Sequence, residues 1–250
     1  MTKMEEAVRN FCEALPQELG IEAVFQGGSS IYDQVEADCD VDLFVVTDDN
    51  ERERMSGICR INGFTIEYFV NPIGRIIRQF DEELNNYHDY WAIKIYAFSN
   101  ILYDSRGNGI KLKKLALNAF ERPFSPNEKS VELGNYYDVF DSFTEYCSHI
   151  RLGINSEPMY YETLKRTLHA YCYQHGLPLI PWSKSERLLS DPEFRKNYHL
   201  KNIPDAAFCK KFLVCLKQMS TNEKDSAIRD LYAFVMSQTE FSPEYYCRKK

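Results

Sequence analysis

Gln26-Gly27-Gly28-Ser29-Ser30, and then Asp40-Val41-Asp42-Leu43, decide how this chain is read. The glycine-serine stretch follows directly on Ile21 to Phe25, a short apolar segment suited to a strand, so a strand, a tight turn and a helix are expected in that order. Glycines let the backbone come close to a phosphate, and amides at a helix N-terminus favour anions. Ser29 adds a hydroxyl donor. In the second stretch strand alternation sends Asp40 and Asp42 to one face and Val41 and Leu43 to the other, an apolar layer. Two unpaired carboxylates side by side repel, and one tends to take up a proton unless a cation neutralises them. Magnesium does so, being a hard ion typically held by one or two carboxylates together with substrate phosphates. No G-K-[ST] follows the glycines, so the turn is not a Walker loop.

Working outward, Val41 to Thr47 reads as a core strand leaving into the polar loop Asp48 to Arg54. Two apolar runs follow, Ile58 to Ile61 and Phe64 to Val70, joined at Asn62-Gly63, the dipeptide best suited to a two-residue hairpin turn. On the second run Thr65, Glu67 and Phe69 share a face. Glu67 is the only ionised side chain between Phe64 and Val70. A charge in an apolar strand is costly to bury without a metal, a basic group or solvent to meet it. Beside the aspartates it would complete a three-carboxylate cluster, and metal ligands next to a phosphate cradle point to phosphoryl or nucleotidyl transfer.

Ahead of these strands, Met4, Val8, Phe11, Cys12 and Leu15 recur at helical spacing, predicting a helix over 3–19 ended by Gly20. Beyond Asn71-Pro72 helical periodicity takes over. Helices are expected over about 74–85, 87–102, 109–121, 128–153, 158–175, 204–219 and 223–239, so the sheet lies almost wholly before residue 72. Strands in front and helices behind predict an α+β chain, either segregated on one core or split into two domains near Pro123 to Pro126: a mixed sheet with flanking helices over 1–123, then a helical bundle over 124–250.

The 250 residues carry 44% hydrophobic and 27% charged side chains, the make-up of an ordinary globular protein, and a formal net charge of -7. That charge argues against a broad cationic surface for long nucleic acid. Met1 to Arg9 has no apolar signal-peptide core and no run approaches a membrane span, so a cytoplasmic protein with no membrane partner is expected. The eight cysteines never form C-x-x-C and read as buried thiols. His169, Cys172 and His175 share a helical spacing that could bind a metal, but no fourth ligand is evident and packing is the simpler account.

The chain resembles the nucleotidyltransferase superfamily that includes DNA polymerase β and the small bacterial nucleotidyltransferases acting on aminoglycoside, lincosamide or kanamycin-type antibiotics. Gly28-Ser29, an eleven-residue step to Asp40-Val41-Asp42-Leu43, and Glu67 within Thr65-Ile66-Glu67-Tyr68 match its pattern in order. Asp33 and Cys39 depart from it where Gly and Ser are usual. Ile101-Leu102-Tyr103-Asp104-Ser105-Arg106-Gly107 looks like the turn that follows the catalytic part in small members, and Pro178 to Leu189, with Lys184, like their proline-lysine segment. The resemblance implies a nucleotidyltransferase fold and transfer of a nucleoside monophosphate, AMP from ATP foremost, to a hydroxyl of a small acceptor. Two magnesium ions would be held by Asp40, Asp42 and Glu67, with Gly28 and Ser29 on the triphosphate. Transfer to a protein or RNA end, and a non-catalytic antitoxin-like binding module, are the alternatives; a homodimer is left open. Lys94 and Lys184 could touch a triphosphate, Glu145 and Glu162 could activate an acceptor, and Tyr136-Tyr137, Tyr160-Tyr161, Tyr171 and Tyr173 could line its pocket, though solvent exposure or helix packing is the commoner fate of each type.

Overall fold

A computed structural model describes residues 3–16, 19–28, 40–48, 53–217, 220–244 and 246. Ser29, Asp33 and Cys39 lie outside them. The chain divides into two compact units, Met1–Phe124 and Ser125–Lys250.

In the first unit, helix α1 (Lys3–Ala14) precedes β1 (Ile21–Gly27), β2 (Asp40–Thr47), β3 (Met55–Ile61) and β4 (Phe64–Pro72). Then come α2 (Ile73–Glu82), a π-helical turn (Glu83–Tyr87), α3 (Trp91–Phe98), β5 (Asn100–Asp104) and α4 (Asn108–Phe120). The sheet runs β3-β4-β2-β1-β5 and is mixed. β2 and β4 are parallel, and the other neighbours are antiparallel.

The β3–β4 hairpin turns at Asn62 (φ 53°) and Gly63 (φ 89°), the two positive angles such a turn requires, and its ladder starts at Ile61 opposite Phe64. That fixes which side chains share a face. Val24, Val41, Leu43, Val45, Ile66 and Val70 pack with Val8 and Phe11 of α1. On the opposite face Ala23, Phe25, Phe44 and Val46 pack with residues of α2, α3 and α4. Fully burying each large apolar side chain contributes about 1.5–3 kcal/mol, so a one-residue slip of register, which would exchange the two faces, is strongly opposed.

Two predicted boundaries are corrected. α1 stops at Ala14 rather than reaching Leu19, because Pro16 restricts the residue before it and cannot continue the helix. The helix expected over 87–102 is shorter, and its last part is β5. Ser99 turns the backbone extended (φ -65°, ψ 154°) and is buried, which lets residues 100–104 pair with β1.

The second unit is helical: α5 (Lys129–Leu152), α6 (Glu157–Gln174), the short α7 (Ser185–Ser190) and α8 (Pro192–Asn197), α9 (Ala206–Cys215) and α10 (Thr221–Met236). Tyr136, Tyr146, Tyr160 and Tyr171 are among its largest fully buried side chains. Their hydroxyls find partners inside: Tyr160 donates to the Cys215 carbonyl at 2.8 Å, Tyr136 to Gln174 and Tyr171 to Asp205. These tyrosines are core, as burial of an aromatic ring with a satisfied polar tip predicts. Among the described residues no helix is long and apolar enough to cross a membrane.

Candidate active site

Strand register assembles the site. Asp42 lies opposite Gly27 of β1 on one side and Glu67 of β4 on the other. Asp40, two residues earlier, is opposite Thr65. Register partners present their side chains to one face, so Asp40, Asp42 and Glu67 stand together on the α2–α4 side of the sheet while Val41 and Leu43 enter the other core. Asp40 is exposed; Asp42 and Glu67 are half-buried.

Gly28 meets Asp42 directly. Gly28 has φ 73°, and a Cβ built there would stand 1.9 Å from Oδ2 of Asp42. A side chain at 28 would therefore be strained in its backbone and would occupy the place of the carboxylate. At Gly27 a Cβ would lie 2.7 Å from the Phe44 ring and 2.8 Å from Ser99 Oγ, so the strand end is also held against the sheet by absence of a side chain.

Among the described residues no group of three His, Cys, Asp or Glu side chains is gathered closely enough to hold a metal ion. The three carboxylates share a face and adjoining register positions without closing into a cage. The same holds for His169, Cys172 and His175: Cys172 is in the core, its thiol pushed up to about 12 by burial, and the His175 ring lies against Tyr171.

Other candidates separate. Lys94 on α3 lies near Asp89, whose carboxyl burial raises while the Tyr90 amide and Lys94 draw it down. Lys184 sits over the Tyr198 ring at 4.9 Å. Glu162 pairs with Arg166 at 2.7 Å, and Glu145 is exposed. In the Ile101–Gly107 segment, Asp104 accepts the amides of Gly109 and Ile110 and so caps α4.

The sequence reading passed over two residues on the acid face. Ile58 of β3 is opposite Glu67 and 70% exposed, and Arg60 is opposite Thr65, in the row of Asp40. The Asn62-Gly63 turn carries that information, since a two-residue hairpin sets every later pair.

No family model and no curated protein matches the sequence. Among solved structures, one similar chain is a nucleotidyltransferase-like protein from Exiguobacterium sibiricum, 15% identical, with a TM-score of 0.49 over 94% of this chain and 75% of that one.

Proposed function

We propose that the protein is a magnesium-dependent nucleotidyltransferase that moves a nucleoside monophosphate, AMP in the first instance, from a nucleoside triphosphate to a hydroxyl of a small acceptor such as an antibiotic. The observation that carries this reading is the contact of Gly28 with the Asp42 carboxylate, with Glu67 in register beside it. A turn able to receive phosphates and an acid able to hold their counter-ion occupy one corner, although fourteen positions separate them in the chain.

Carboxylate oxygens from adjoining strands are the donor type that magnesium takes, with phosphate oxygens and water completing its coordination. When bound, magnesium would neutralise the acids and draw charge from the phosphate oxygens. Asp40 and Asp42 would hold it. Glu67 would hold the ion nearer the acceptor, where it would also help take the proton of the attacking hydroxyl. Gly28 and Ser29 would take the terminal phosphates on backbone amides and a hydroxyl.

The test incubates the protein with magnesium, labelled ATP or GTP and a panel of hydroxylated acceptors that includes aminoglycosides and lincosamides, following pyrophosphate. Magnesium-dependent release is expected, falling by a factor of about 10² or more in Asp42→Asn, the order seen when a group stabilising transition-state charge is removed. Undiminished transfer by that variant, or no release with any acceptor, would sink the proposal.

A further inference from the structure

The two rings that follow the carboxylates along their strands, Phe44 after Asp42 and Phe69 after Glu67, stack at 5.3 Å with 13° between planes. They lie about 7 Å further on, two residues of strand rise, and on the same face. Both line a cavity of about 180 Å³ in the first unit. Tyr96, buried, and Trp91, 50% exposed, add aromatic walls. Its polar side chains are Arg54, Ser56, Asn71 and Gln79, and no carboxylate lines it among the described residues. Glu83, which Gln79 also touches, gives its oxygens to the amides of Ala92 and Ile93.

Size, shape and charge sign agree on one kind of occupant. An apolar cavity of about 150 Å³ takes a benzene ring, so this one has room for a single ring and little more. Aromatic walls favour a planar ring. Among the described residues Arg54 is the one cation of the lining; its Nη2 donates to Gln79 Oε1, and a guanidinium has further N–H groups to offer a ligand. That fork matches a carboxylate in geometry as well as charge.

We propose that this cavity binds an aromatic carboxylate, and that it seats the head group of the acceptor while a hydroxyl borne on the same molecule reaches the carboxylate corner. The second half rests on the nucleotidyl-transfer reading; the binding does not. Polycationic acceptors are disfavoured, because their charge would meet Arg54, with Arg60 on the same face of the sheet.

The cavity carries its own reporter, since the chain has two tryptophans and Trp182 lies in the other unit. In a Trp182→Phe background, benzoate is expected to change Trp91 emission saturably, with a Kd of the order of 1 mM for so small a ligand. Benzylamine, the same ring with the opposite charge, should bind at least about tenfold more weakly, and Arg54→Gln should raise the benzoate Kd about tenfold or more, as loss of a charged hydrogen bond does. Arg54→Lys, which keeps the charge but loses the fork, should give a Kd between those of the parent and of Arg54→Gln. No saturable response, equal binding of benzylamine, or an unchanged benzoate Kd in Arg54→Gln would overturn the proposal. The titration uses neither nucleotide nor magnesium, so a protein that binds benzoate but modifies no acceptor keeps this site and loses the proposed reaction.

Discussion

Glu83 should make the first unit less stable as pH rises through neutrality. The side chain is 3% exposed, and its carboxylate accepts the amides of Ala92 at 2.7 Å and Ile93 at 3.1 Å, capping α3 from the π-helical turn before it. Burial pushes its pKa from 4.5 up to about 7, against the pull of those two amides. Because the folded state then holds the proton more tightly than the unfolded chain, its contribution is complete below about pH 4.5 and disappears as pH climbs through 7. At 1.36 kcal/mol per pKa unit the difference amounts to about 3 kcal/mol. Urea unfolding of the Trp182→Phe protein is followed by the fluorescence of Trp91, which lies in the first unit. Compared with Glu83→Gln in the same background, stability should fall by up to about 3 kcal/mol between about pH 5 and pH 8. A gap between the two proteins that stays constant over that range would refute the reasoning.

Gly28→Ala should cut nucleotidyl transfer about tenfold or more, since the methyl displaces Asp42 Oδ2, while the left-handed backbone adds only about 1–2 kcal/mol of instability; pyrophosphate release and urea unfolding separate the two effects. Tyr160→Phe strips the hydrogen bond to the buried Cys215 carbonyl and should cost the second unit about 1–3 kcal/mol, read from Trp182 fluorescence on unfolding. Asp205 accepts the amides of Ala207 and Phe208 at the start of α9, so Asp205→Ala should lower stability by about 0.5–2 kcal/mol in the same assay.

Much of the sheet was legible because its signals are local. Asn62-Gly63 announces a hairpin and thereby its register, and the alternation in Asp40 to Thr47 announces two faces; each is decided by neighbouring residues. The common face of Asp40 and Asp42 follows from the alternation, whereas Glu67 joins it through the parallel pairing of β2 with β4, which neither local signal reports. What no alternation reports is how the side chains close on one another: Gly28 against Asp42 is a contact between strands, and the distance from acid to acid depends on rotamers. β5 escaped because Asn100 to Asp104 is five residues long and continues the apolar run of α3 without a Gly or Pro between them. The short α7 and α8 escaped for want of length, although Asp191-Pro192 is a good helix start and Asp191 does cap α8 through the amides of Glu193 and Phe194. Glu83 carries no local sign of burial in the sequence; tertiary packing buries it.

The pairing of β1 with β5 has a consequence during synthesis. β1 is hydrogen-bonded to β2 along one side and to a strand nearly eighty positions later along the other. At about 5–20 residues per second, the roughly thirty residues between β4 and β5 take a few seconds to emerge, and for that time a nascent sheet of four strands would carry an open edge. Val24 and Phe25 are bordered by Tyr103 and Ile101 only when the last strand arrives. A chain stalled or cut before residue 100 would therefore offer the apolar β1 edge as a template for another copy, whereas in the complete sheet β1 lies inside and the short, five-residue β5 takes the edge position.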